Sequence, residues 1–375
     1  MLPKIRHVAS EAGWRNSTLE QWFAYDAAMD GRRNSETTLK DVARVAGVHY
    51  GTVSRALDPA RSHLVNAETR ELIQAVAQRL GYRVNSVARS LRKGSAGLIG
   101  VVVTDVSNPF QGPFVRGLES VIGRVDGRLL LIAESHDDST VLEAVLEELV
   151  GRRLDAIILT AARRGDEAIV RRASRAVPVV LAIRSLSTTE FPMLTHDDEL
   201  GGRLATEHLV ALGHERLAQL RGSDDVSSFR GRAAGYHAVL ARTSARDVSM
   251  DRIAAEPSVA EGHRLALALL DQPEELRPTA IFAHNDLLAV GVLDAIAERG
   301  LRCPGDISVV GYNDAPLTDH IDPPLTTVHL PARELGERAG RLVASILAGE
   351  VARRDEEPLP PELVVRASTA PPLVT

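Results

Sequence analysis

Tyr50, Gly51, Thr52, Ser54 and Arg55 stand within six residues of one another in the stretch TLKDVARVAGVHYGTVSRAL, Thr38 to Leu57. A guanidinium can donate two parallel hydrogen bonds to O6 and N7 of guanine, and hydroxyls can meet either a base edge or a phosphate, so these side chains suit the reading of duplex DNA. Arg55 is the strongest base-reading candidate, with Tyr50 and Ser54 behind it, and Thr38 at the start of the stretch is a further DNA-binding candidate. A second, dispersed polar set follows downstream: Asn108, Phe110, Arg184, Asp197, Ser228, Arg232, Asn285 and Asn313. Its alternating amide, carboxylate and guanidinium groups supply donors and acceptors for a polyhydroxyl ligand, a sugar or sugar derivative, with Phe110 or Phe229 to stack on the ligand's apolar face.

The elements that must hold the first set can be read from periodicity. Leu39, Val42, Ala43 and Ala46 fall on one face of a helix that Thr38 can cap. Gly47 ends it, and Val48 anchors the turn. A second helix from Tyr50 to Leu57 turns Val53, Ala56 and Leu57 inward and Tyr50, Gly51, Ser54 and Arg55 outward. That is a helix-turn-helix, whose second helix enters the major groove. An ordinary helical hairpin would show the same twenty residues, but a third helix over Val65 to Leu80, with Leu72, Ile73, Val76, Ala77 and Leu80 on one face, closes a three-helix core before Gly81. Asn85 to Gly94, NSVARSLRKG, is too short to be a stable helix alone. It reads equally as a flexible basic linker or as a hinge that folds on DNA, with Asn85, Ala88 and Leu91 at the duplex and Leu91 wedged into the minor groove.

Charge follows the same division. The chain of 375 residues carries a net charge of −6, yet residues 37–94 hold ten Lys or Arg against four Asp or Glu, and residues 1–36 hold five of each. A basic module therefore precedes an acidic body, the asymmetry expected when one end meets phosphates. The single cysteine, Cys303, excludes an internal disulfide framework and a cysteine-based zinc site. No apolar run reaches the roughly 18 residues of a membrane span, and the start lacks the apolar segment of a signal peptide, so a cytoplasmic protein is expected. Residues 1–36 contain Trp14, Leu19, Trp22, Phe23 and Tyr25 without a legible partner. A natural start at Met29 would put the helix-turn-helix about ten residues in; otherwise the segment is a mobile extension.

After Gly94 short apolar runs alternate with amphipathic stretches. Leu98 to Val103, Leu129 to Ala133, Ala156 to Thr160 and Val179 to Ile183 are strand candidates, and the alternation resumes through Leu217 to Leu220, Ala280 to Ala283 and Ile307 to Gly311. Such strands between helices imply parallel sheets covered on both faces, arranged as two open α/β lobes with ligands beyond the carboxyl ends of the strands. The dispersed polar set falls just after those strands or at the start of a following helix. Two local alternatives stand beside ligand binding: Asp198, Asn285 and Asp286 can cap helices, and Arg232 can pair with a surface acid.

These stretches together, with ETRELIQAVAQRLGY, NSVARSLR, LIGVVVTDVSNPF, DDELGGRLATEHLVALGH, RGRAAGYHAVL, AIFAHNDLLAVGVLDAIAERGLRCPGDISVVGYND and PPLTTVHLPARELGERA in that order, resemble the lactose-repressor (LacI/GalR) family of bacterial transcription regulators from Thr37 to about Ser368. The resemblance implies a helix-turn-helix headpiece over 37–84, a hinge helix over 85–94 and a periplasmic-binding-protein-like body over 95–375. It places lobe 1 at about 95–195 and 329–350, lobe 2 at about 196–328 and 358–370, and crossings near Thr195, near Val328 and within Arg354 to Leu359. It further implies a homodimer on a pseudo-palindromic operator and a small-molecule effector between the lobes, with no cofactor.

Departures from the family pattern bear on both sites. His49 stands where Ser or Thr usually caps the reading helix, and Gly51 replaces a larger polar residue, which puts helix stability and operator preference in question. Val84 replaces a proline before Asn85, Ile183 stands where an acid often precedes Arg184, and Asn313 where Asp is frequent. The catalytic motifs G-x-S-x-G, G-x-x-x-x-G-K-[ST] and H-E-x-x-H are absent from the sequence. His208 and His214 are wrongly spaced for two ligands on one helical face, and Cys303 reads as a packing residue. A transport binding protein and a sugar-processing enzyme are the competing classes.

Overall fold

The computed structural model describes residues 37–58, 61–82, 96–188, 190–250, 253–350 and 357–373, in two units divided at Gly94. In the first unit α1 (Leu39–Ala46), α2 (Tyr50–Ala56) and α3 (Ala67–Arg79) enclose Val42, Ala43, Val53, Ala56, Ile73 and Val76. Thr38 caps α1 reciprocally with Asp41: its hydroxyl accepts from the Asp41 N–H at 3.4 Å while the Asp41 carboxylate accepts from the Thr38 N–H at 3.0 Å. Gly47 takes the left-handed conformation, φ 66°, that lets the chain leave α1. The Thr37 hydroxyl donates to the Leu80 carbonyl at 2.9 Å and ties the start of the headpiece to the end of α3. The expectations for Asn85, Ala88 and Leu91, and for a start at Met29, lie outside the described residues.

The body holds β1 (Leu98–Val103), α4 (Gln111–Asp126), β2 (Leu129–Glu134), α5 (Ser139–Gly151), β3 (Ala156–Leu159), α6 (Glu167–Ser174), β4 (Val179–Ala182) and β5 (Met193–Leu194). It continues with α7 (Asp198–Ala211), β6 (Arg216–Leu220), α8 (Ser227–Leu240), β7 (Arg246–Asp247), α9 (Val259–Leu270), β8 (Ala280–Ala283), α10 (Asp286–Glu298) and β9 (Ser308–Asn313). β10 (Thr326–His329), α11 (Ala332–Leu347) and β11 (Glu362–Val364) complete it. One sheet has the order β2-β1-β3-β4-β5, all parallel. The other, β7-β6-β8-β9-β10, repeats that order and adds β11 antiparallel on its edge.

The apolar runs are continuous because both faces of each sheet are covered. Ile99, Val101 and Val103 pack toward α4 and α11, while Val102 packs toward α5 and α6. In lobe 2 Leu217, Phe282 and Tyr312 pack with α7 and α8, and Ala218, Ile281 and Val309 with α9 and α10. The first cluster runs on from lobe 1 into lobe 2 past Leu194, Val328, Leu330 and Leu359. The second crossing, expected near Val328, falls after His329, because β10 pairs with β9 through His329 and Asn313. His329 thus belongs to the second lobe, not the first. The two-residue strands β5 and β7 were too short to show a period.

Helix pairs approach through facing glycines. A Cβ on Gly202 would lie 2.1 Å from the Arg232 carbonyl oxygen, and one on Gly235 would lie 2.1 Å from the Glu199 carbonyl oxygen. The pairs α4/α11 and α9/α10 repeat this with Gly117 and Gly336, and with Gly262 and Gly291. Gly235→Ala must push α7 from α8 and should cost about 3 kcal/mol or more. Gly112→Ala, where an added Cβ meets nothing within 4 Å, should be neutral or gain up to about 1 kcal/mol. Urea unfolding of the two variants checks the contrast, and equal midpoints would refute the close-approach account.

Candidate functional site

On the reading helix Tyr50 and Arg55 are exposed, Gly51, Thr52 and Ser54 are half-buried, and Val53 and Ala56 are buried, so the expected faces are present. Arg55 Nε donates to the Gly51 carbonyl at 3.2 Å, which steadies the side chain along the helix and keeps its terminal amines for other work. The doubt over the helix start is resolved by His49. Its Nδ1 accepts the Gly51 N–H at 3.2 Å, so an imidazole does the capping that a hydroxyl would otherwise do. Thr38, the DNA-binding candidate ahead of α1, makes the capping box with Asp41.

In the body the carboxyl ends of the parallel strands of both lobes face one another. After β3 the Arg164 N–H donates to the Asp225 carbonyl at 2.8 Å, and after β4 the Ser185 N–H donates to the Ser227 hydroxyl at 2.8 Å. Arg232, buried in α8, is the centre of the lobe 2 side. Its Nε donates to Asp198 at 2.9 Å, another nitrogen donates to the His284 carbonyl, and its guanidinium carbon lies 3.8 Å from the centre of the Tyr312 ring. The Tyr312 hydroxyl donates to the same Asp198 oxygen at 3.1 Å. Burial pushes the Asp198 carboxyl up, and the Arg232 charge and the two hydrogen bonds pull it back. Arg232 therefore pairs with an internal acid, not the surface acid entertained from sequence, and Asp198 is its partner, not a cap.

The remaining candidates divide by role. Asp197 caps α7, accepting from the Leu200 N–H at 2.9 Å, and Asn285 caps α10, accepting from Leu288 at 2.8 Å while donating to the Pro257 carbonyl at 3.3 Å. Asn108 accepts from the Phe110 N–H at 3.1 Å and so turns the chain that presents Phe110. Arg184 is held by both oxygens of Asp137. Ser228 is buried within α8. Phe110 and Asn313 line a cavity of about 590 Å³ together with His329 and Leu330; Asp137, Phe229 and Pro257 line another of about 270 Å³ between the lobes.

Sequence reasoning placed Asp314 beside Asn313 at the cleft but missed its partners His329 and Arg366, and it missed Asp137, Tyr312 and His196. His196 is buried beside Phe110, ring centres 6.2 Å apart, and burial drives its pKa down to about 3, so the ring stays neutral. Asp314 accepts from His329 at 3.0 Å and Arg366 at 2.7 Å, and those partners hold it at about 2, while Asp314 raises His329. Backbone strain marks the same strand ends. Ile183, β-branched, has φ 69° just before Arg184, and Asn313 has φ 112°.

Asp286 is not the cap that its position suggested. Its two oxygens accept from the Ala315 N–H and the Thr327 hydroxyl, each at 2.7 Å, and brace the turn after Asn313. Burial raises its pKa to about 7, against the pull of those donors. A raised carboxyl contributes stability at acid pH that is lost as pH climbs through the folded value. The stability of the parent relative to Asp286→Asn should therefore fall by up to about 4 kcal/mol between about pH 4 and pH 8. Urea titrations at several pH values test this; a pH-independent difference would contradict it.

Among the described residues no helix is long and apolar enough to cross a membrane, and no group of three His, Cys, Asp or Glu is placed to hold a metal ion. A periplasmic binding protein-like domain profile matches residues 206–369, and the profile of the bacterial regulatory proteins of the lacI family matches residues 38–85. The ribose operon repressor of Escherichia coli K12 is 33% identical over 334 residues, 88% of this chain and 99% of that one. The regulator GalR of the same strain is 30% identical over 344 residues, 89% and 96% of the two chains. The lac repressor dimer bound to operator and the anti-inducer ONPF matches with a TM-score of 0.78 at 31% identity, over 90% of this chain and 100% of that chain. A LacI family transcriptional regulator from Enterococcus faecium with bound ribose matches at 0.64 and 27%, over 73% of this chain and 99% of that one. A helix-turn-helix ahead of two lobes with the same strand order, matched along nearly the full length of such relatives, means that this chain belongs to the lacI family of bacterial regulatory proteins.

Proposed function

We propose that the chain is a homodimeric transcription repressor of the cytoplasm, whose two headpieces read a pseudo-palindromic operator and whose interlobe cleft takes a neutral sugar or sugar derivative. Tyr50, Gly51, Thr52, Ser54 and Arg55 face the duplex, Thr38 starts the helix that supports them, and Asn85, Ala88 and Leu91 act in the hinge. The observation that carries the effector class is the state of the cleft's guanidiniums: Arg232 is matched by Asp198 and Arg184 by Asp137. Donors and acceptors converge there with little uncompensated positive charge, which favours polyhydroxyl over phosphorylated ligands. A ribose operon repressor and a ribose-bound regulator among the relatives agree with that class. Effector binding then shifts the lobe arrangement and, through the hinge, the affinity for DNA. No catalytic step is assigned to the cleft.

Selection from random duplexes at fixed salt, followed by a melting screen of free and phosphorylated sugars, tests the proposal. A symmetric site and one neutral sugar that raises Tm are expected. Binding indifferent to sequence, or stabilisation by phosphorylated compounds alone, would defeat it.

A further inference from the structure

Gly51 leaves the reading helix without a side chain one residue after Tyr50, and the structure fills that gap from an unexpected direction. A Cβ built on Gly51 would lie 3.1 Å from His49 Nδ1 and 3.5 Å from the adjacent ring carbon, so the imidazole lies against the place where a side chain at 51 would start, and a Cβ there would press it aside by a few tenths of an ångström. The ring is exposed, and its centre lies 4.4 Å from that of Tyr50 at 47°, which sets the two rings side by side at the head of α2. Because Nδ1 accepts the Gly51 N–H, the neutral ring must carry its proton on Nε2, which leaves Nε2–H as a donor on an exposed side chain.

We propose that His49 is a sequence-reading residue: its Nε2–H donates one hydrogen bond to an acceptor on a base edge in the major groove, replacing the contact that Gly51 cannot make. The major groove offers such acceptors at purine N7, guanine O6 and thymine O4. Capping and reading are then done by the two nitrogens of one ring, and Gly51 is the residue that admits it. The inference rests on the reading-helix assignment made above.

The test uses the full-length dimer and its selected operator, with every single base-pair variant. His49→Ser keeps a capping oxygen but loses the reach, so α2 should stay folded by circular dichroism. Discrimination should relax roughly three- to tenfold at one base pair in each half-site, distinct from the pair relaxed by Arg55→Ala. Should that pair contain a purine opposite His49, replacing its N7 by carbon should weaken the parent and leave His49→Ser unchanged; an acceptor at guanine O6 or thymine O4 is tested by the matching base analogue. Uniform weakening across all sequences would make His49 a phosphate contact and overturn the proposal, as would unchanged discrimination. If Arg55→Ala also leaves sequence preference intact, the fault lies in the reading-helix assignment itself.

Discussion

Arg232→Ala should lose about 3–5 kcal/mol of stability and show no melting shift with the sugar that stabilises the parent. The size follows from what is left behind. Asp198 would keep its buried position while losing the Nε hydrogen bond and the neighbouring charge, and breaking one half of a buried pair costs this much because the other half stays uncompensated. The Tyr312 ring would also lose the cation against its face. A compensated change separates packing from recognition. Arg232→Met with Asp198→Leu removes both charges, so unfolding midpoints should return most of the way to the parent. The ligand shift, about 2.7 kcal/mol for the parent at a hundredfold excess over Kd, should stay absent. Denaturant titrations with and without the sugar give both quantities, and a full ligand shift in the double variant would move the effector elsewhere.

Arg55→Ala should cost about 1–3 kcal/mol of discrimination at one base pair per half-site while leaving other positions as they were. The bond from Arg55 Nε to the Gly51 carbonyl orients the guanidinium without using its terminal amines, which match the paired acceptors of guanine. Competition binding against single-substituted operators reads this directly. A uniform loss across all duplexes would recast Arg55 as a phosphate contact, with a shallower salt slope as its signature.

The headpiece was legible because each step is local. Leu39, Val42, Ala43 and Ala46 show the helical period, Thr38 caps, and Gly47 breaks, all within ten residues. The sheet strands were legible for a similar reason: burial on both faces leaves runs such as Leu98–Val103 without polar interruption. Pairings were not legible. Arg184 and Asp137 are 47 positions apart, and Arg232 and Asp198 are 34 apart. Nothing in the spacing of such residues says which acid a given arginine will find. His49 misled for another reason, since imidazole is an uncommon cap and its competence depends on which nitrogen carries the proton.

The facing glycines have a mechanical corollary. Where a carbonyl lies against a glycine, each pair of helices meets backbone to backbone, with no side chain at that point to take up displacement. A change in lobe arrangement is then taken up more easily in the spans between the two sheets, at Thr195–His196 and at Leu330–Pro331, than within any of these helix pairs. A rotation of a few degrees started by a sugar would arrive at the far end of the first lobe almost undiminished, as with a stiff lever on a narrow pivot.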